Sequence, residues 1–175
     1  MQYAQRLLHK AAWRAMINQI KHPPARMSGI LRFVETTSPE VWALAGPIYY
    51  SDAEYGTLTA HAGVPTDGAS IPRFLWPIVG PPLRDARTAR PAVLHDLLYY
   101  LSNAVALSRR DADIIFARGL LANDVPLIKV VIYYAGVRLG GWRGWRFHQR
   151  DIAFQREMSQ YLLYEPSQEM DRWRK

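Results

Sequence analysis

Leu8, Ala12, Met16 and Ile20 recur every four residues near the start of the chain. Leu7 and Trp13 lie beside them, and Arg6, Lys10, Arg14 and Lys21 lie between. Residues four apart share a helix face, so this spacing predicts a basic amphipathic helix over 2–22. Pro23-Pro24 ends it. Such a helix packs on its own domain or a neighbouring subunit, or lies on a membrane surface. The period then shortens to two. Leu31, Phe33 and Val34 with Arg32 and Glu35 predict a strand within 30–36. Tyr49 and Tyr50 close a second strand within 41–50. Leu58 and Ala60 alternate with Thr57, Thr59 and His61 in a third over 56–62. Asp52 to Gly56 makes the turn of a hairpin between the last two.

From Val64 to Pro72 the pattern breaks. Val-Pro-Thr-Asp-Gly-Ala-Ser-Ile-Pro holds too much proline and glycine for a regular element and reads as a loop. It carries a carboxylate, Asp67, and the hydroxyls of Thr66 and Ser70. Beyond Pro82 the period is helical. Val93, Leu94, Leu97, Leu98 and Leu101 predict a largely buried helix over 90–101, with Pro91 in its first turn. Ser108 is an N-cap for a helix over 109–122, and Asp111, three residues on, is its capping-box partner. A third helix over 127–139 stops at Gly140-Gly141. Phe154, Met158, Tyr161 and Leu162 predict one more in the tail, fraying after Pro166. Strands followed by helices give an α+β fold: a small antiparallel sheet, then a helical half containing an antiparallel helix pair. The division expected is an N-terminal helix over 1–25, a core over 26–150, and a C-terminal helix and tail over 151–175.

Composition narrows the classes. Hydrophobic residues at 49% and charged residues at 21% of 175 describe a chain that folds. With no cysteine, disulfides, zinc–thiolate sites and thiol nucleophiles are excluded. A net charge of +7 favours an anionic partner. No apolar run reaches the roughly 18–20 residues that span a bilayer. No export signal is visible, so synthesis in the cytoplasm is expected, with later incorporation into a larger particle left open.

The candidate chemistry lies where ionisable groups interrupt apolar helices: His95-Asp96 between Leu94 and Leu97, and Asp113 between Ala112 and Ile114. Charges there are costly unless paired. His95 and Tyr99 are four apart and share a face. Asp96 lies about 100° around the helix from His95 and serves a different partner. A carboxylate on the Nδ1 side of His95 would fix its tautomer and leave Nε2 as a base. Asp113 is the candidate, because Asp111 is accounted for by capping. Asp96 is then free for a hard cation such as Ca²⁺, with Asp67 supplying further oxygen and Ser70 a supporting hydroxyl. The same His95–Asp113 pair also reads as a buried tie between two helices. Arg143, Arg146 and Arg150, interleaved with Trp142, Trp145 and Phe147, form a stretch suited to nucleic acid or another anion.

Three segments, Thr66-Asp67-Gly68-Ala69-Ser70-Ile71-Pro72, Ala92-Val93-Leu94-His95-Asp96-Leu97-Leu98-Tyr99 and Ala112-Asp113-Ile114-Ile115-Phe116, resemble a domain-of-unknown-function family of tailed bacteriophages, prophages and bacteria. The resemblance covers roughly residues 30–145. It implies a phage or prophage product, with other virion proteins as partners, and supplies no activity. A shorter resemblance, to secreted phospholipases A2, implies that His95 activates water, Asp113 orients it, Asp96 ligates calcium and Tyr99 is a supporting hydroxyl. The chain departs from that family in lacking cysteines and in having one glycine in its loop. Two functions are therefore expected: a hydrolase of esters or phospholipids, or a tail- or capsid-associated virion component stabilised by the same residues.

Overall fold

The computed structural model of the protein describes residues 2–36, 41–66 and 85–168, with side chains from residue 10 onward. Within them it is an α+β fold. The elements run α1 (Gln2–Lys21), β1 (Arg26–Ser28), β2 (Phe33–Glu35), β3 (Trp42–Leu44), β4 (Ile48–Asp52), β5 (Gly56–Ala60) and β6 (Pro65–Thr66). Then come α2 (Ala86–Tyr100), α3 (Arg109–Ala122), α4 (Leu127–Gly140), α5 (Trp142–Gln149), α6 (Ile152–Ser159) and β7 (Leu162–Glu165).

Two antiparallel sheets form, one ordered β1-β4-β5-β7 and the other β2-β3-β6. The expected hairpin is β4–β5, in register Tyr50 to Leu58. Its turn is closed by Asp52, whose Oδ1 accepts the backbone N–H groups of Glu54 and Tyr55, as an Asx turn does. The predicted second strand is in fact two, β3 and β4, because Gly46-Pro47 breaks it. The tail also differs from expectation. Its helix stops at Ser159, and Leu162 and Tyr164 face inward on β7, which pairs with β5 in register Leu58 to Tyr164.

α2 is buried on every side from Pro91 to Tyr99 and is the central helix. It begins earlier than predicted. Asp85 caps it by accepting the Arg87 N–H at 2.9 Å, so Pro91 lies in the interior of the helix rather than in its first turn. Pro91 packs against Gly119 of α3, where an added Cβ would come 3.3 Å from the proline ring. With His95 and Tyr99 further along α2 touching Asp113 nearer the start of α3, the two helices run antiparallel. The Ser108–Asp111 capping box is present as predicted.

Arg118 of α3, 1% exposed, holds α1 to the sheet. Its guanidinium donates to the Gln19 and His22 carbonyls at the C-terminal end of α1, to Asp52 at 2.8 Å and to Glu54. The terminal carbonyls of a helix lack intrahelical donors, so a fork of N–H groups with carboxylates behind it joins three elements at one point.

Candidate functional site

His95 and Asp113 meet. The imidazole Nε2 lies 2.9 Å from Asp113 Oδ1, with His95 3% and Asp113 0% exposed. An ionised carboxylate only accepts, so Nε2 carries the proton of the neutral ring. This is the reverse of the orientation expected from the sequence, which put Asp113 on the Nδ1 side. In the structure Nε2 is the bonded nitrogen. Nδ1 is buried and has no hydrogen-bond partner among the described residues. The ring itself is clamped between Tyr99, 4.2 Å away between centroids, and Phe116, 4.9 Å away.

Asp113 is the centre of the cluster. Its Oδ1 also accepts the Tyr99 hydroxyl at 2.7 Å, and its Oδ2 accepts Arg138 from the last turn of α4 at 2.6 Å. Arg109, one turn earlier on α3, lies 3.8 Å from the same oxygen and donates to the Val137 and Arg138 carbonyls at the end of α4. Burial alone would raise the Asp113 carboxyl. The hydrogen bond from His95 and the positive charge that ring carries when protonated, then hydrogen bonds from Arg138 and Tyr99, outweigh it and hold the group below the usual carboxylate range. Burial, then the Asp113 charge and its hydrogen bond, push the Tyr99 phenol upward, so Tyr99 serves as a donor and not as an acid. Its hydroxyl lies against Gly141, where a Cβ would collide with it. The Tyr99 ring is met edge-on by Trp145 at 5.1 Å.

Asp96 points elsewhere, as the 100° offset requires. Its Oδ2 accepts the Thr66 hydroxyl at 3.1 Å, and it is 8% exposed. Ca²⁺ takes about 6–8 oxygen ligands. Among the described residues no three His, Asp or Glu side chains converge on a point that could hold a metal. Asp96 and Thr66 alone therefore fall short of a calcium donor set. Asp67 and Ser70, the other loop candidates, lie outside the described residues. Arg143, Arg146 and Arg150 are exposed on and just after α5.

Arg138 and Arg109 were not among the residues expected at the site, and Thr66 was expected only as a loop hydroxyl. Arg109 was recoverable, because it is four residues before Asp113 on the same helix. Arg138 had the weaker signal of a cation in the apolar run of α4. Nothing local says that it crosses to a carboxylate 25 residues away.

A family model described as a protein of unknown function, DUF1353, matches residues 42–137. That span holds His95, Asp96, Tyr99, Arg109 and Asp113. No curated protein and no solved structure matches the chain.

Proposed function

The chain belongs to the DUF1353 family, and from that premise we propose that it is a hydrolase of bacteriophage or prophage origin. In this reading His95 is the general base and esters, phospholipids among them, are the substrates. The observation that carries the proposal is the buried Nδ1, without a partner among the described residues, of an imidazole whose other nitrogen is held by an ionised carboxylate. A buried ring nitrogen without a partner costs free energy, and a catalytic role is one reason such a group is retained. With the proton on Nε2, the lone pair is on Nδ1. Nδ1 takes a proton from water as the water oxygen bonds to the ester carbonyl carbon. The imidazolium formed is stabilised by Asp113 across the 2.9 Å contact. The proton on Nδ1 then passes to the departing alkoxide as the carbon–oxygen bond breaks. Tyr99 and Arg138 fix the rotamer and charge of Asp113 and touch no substrate; they are positioning residues. The phage origin rests on the three motifs quoted above.

His95→Gln separates this reading from a purely structural one. The Gln amide nitrogen replaces Nε2 as donor to Asp113, while the basic lone pair is lost. The wild-type chain is expected to release fatty acid or alcohol from a panel of phospholipid and short-chain esters, assayed with calcium and with a chelator. H95Q is expected to melt near the wild type and to lose turnover by about a hundredfold or more. Equal turnover in the two proteins, or none in the wild type, overturns the proposal.

One observation favours a second reading, a tail- or capsid-associated component. Asp113 is wholly buried and accepts from both α2 and α4, which is also what a structural tie requires. Mass spectrometry of purified particles tests it: peptides of this chain are expected if it is a virion component and absent if it is not.

A further inference from the structure

Between Asp124 and Asp151 the sequence holds no carboxylate, and it holds Lys129, Arg138, Arg143, Arg146 and Arg150. Arg138 is committed to Asp113. Arg143, Arg146 and Arg150 are exposed, and none is in an ion pair among the described residues. On a helix turning about 100° per residue, Trp142, Arg146, Arg143 and Phe147 fall within one arc of α5. The opposite side carries Trp145, buried against Tyr99. Phe147 is 70% and Trp142 45% exposed, and the Arg143 and Arg146 guanidiniums lie 5.2 and 5.6 Å from the Trp142 ring centre. Leu139 just before α5 and Ile152 just after Asp151 are 80% and 67% exposed. A surface this apolar and this basic has a partner more often than water alone.

We propose that the exposed face of α5 docks on an anionic phospholipid bilayer, with Trp142 and Phe147 at the headgroup boundary and Arg143 and Arg146 on lipid phosphates. The charge complementarity is one-sided, since no acidic group of this segment opposes it. Two features select a bilayer over a nucleic acid. Leu139 and Ile152 have no π face to stack on a base, whereas acyl chains accept aliphatic groups. Tryptophan beside arginine is also the pairing found at membrane interfaces, the ring at headgroup depth and the cation reaching the phosphate. The proposal does not depend on the hydrolytic reading.

The test is sedimentation of the full chain with vesicles of non-hydrolysable diether lipids, phosphatidylcholine alone against phosphatidylcholine with phosphatidylglycerol. Binding is therefore read without cleavage. The wild type is expected to sediment with the anionic vesicles only, and brominated acyl chains are expected to quench its tryptophan fluorescence. Removing two surface cations with Arg143→Gln and Arg146→Gln is expected to weaken binding about thirtyfold. Trp142→Ser with Phe147→Ser is expected to weaken it about tenfold or more. All four side chains are exposed, so melting temperatures are expected to hold. No sedimentation with anionic vesicles overturns the proposal, as does binding undiminished in the Trp142/Phe147 variant. Preferential binding of single-stranded RNA, lost in both variants, also overturns it. The wild-type quenching stands as a readout if a variant misfolds.

Discussion

Asp113→Asn removes one charge with no change of shape, so it isolates what the carboxylate does. In the wild type its two oxygens accept from His95, Tyr99 and Arg138, all within 2.9 Å. An asparagine has one acceptor oxygen. Its NH₂ group must then face at least one of those donors, and no orientation satisfies all three. Removing one member of a buried charged pair costs about 3–5 kcal/mol. Arg138 is 31% exposed and can turn to water, which places the expected loss near the lower end, about 3 kcal/mol. At about 2–4 °C per kcal/mol for a chain of this size, the melting temperature should fall by about 6–12 °C. The pH dependence carries a second signature. The folded Asp113 carboxyl is held below its unfolded value of about 3.9. Its contribution is therefore complete above that value and is lost as the pH falls through the lower, folded one. The stability difference between wild type and D113N, from urea titrations, should shrink as the pH falls below about 4. A difference within about 0.5 kcal/mol at neutral pH, or one that grows as the pH falls below about 4, refutes the reasoning.

Other perturbations reach separate parts of the fold. Arg118→Met leaves Asp52 buried without its cation and the carbonyls of Gln19 and His22 without donors. It should cost about 3 kcal/mol or more by urea titration and let trypsin cut near Lys21 and Arg26 before the rest of the chain. Gly141→Ala meets no backbone strain, since its φ of −71° suits any residue. The new methyl collides with the Tyr99 hydroxyl and with the Val137 carbonyl oxygen, so a loss of about 1–3 kcal/mol and a changed near-ultraviolet dichroism of Tyr99 and Trp145 are expected.

The parts of this structure legible in the sequence are those that local chemistry specifies. Ser108 and Asp111 cap a helix within four residues of each other. Asp52 closes the hairpin turn with its own side chain. His95, Tyr99 and Asp113 each interrupt or flank apolar helical runs, which required partners and pointed to one another. The α+β class followed from the change of period. What escaped needed information from far along the chain. β1 is three residues long and has no period to detect. β7 gains its strand character from pairing with β5 about a hundred residues earlier. Tyr161 and Leu162 read as helical because they continue the spacing of Phe154 and Met158. The ring orientation of His95 was misjudged because spacing says that an imidazole and a carboxylate share a region and nothing about which nitrogen faces which oxygen. Arg118 could have been noticed as a lone cation between Ala117 and Leu120 in a buried run, a position that demands partners.

The most direct test of the site is the tautomer of His95 in solution, read from long-range ¹⁵N–¹H correlations of the ring. For the neutral imidazole the expected result is a protonated Nε2 and an unprotonated Nδ1, unchanged in Tyr99→Phe and lost in Asp113→Asn. A neutral ring with its proton on Nδ1 would contradict both the contact with Asp113 and the assignment of Nδ1 as the base.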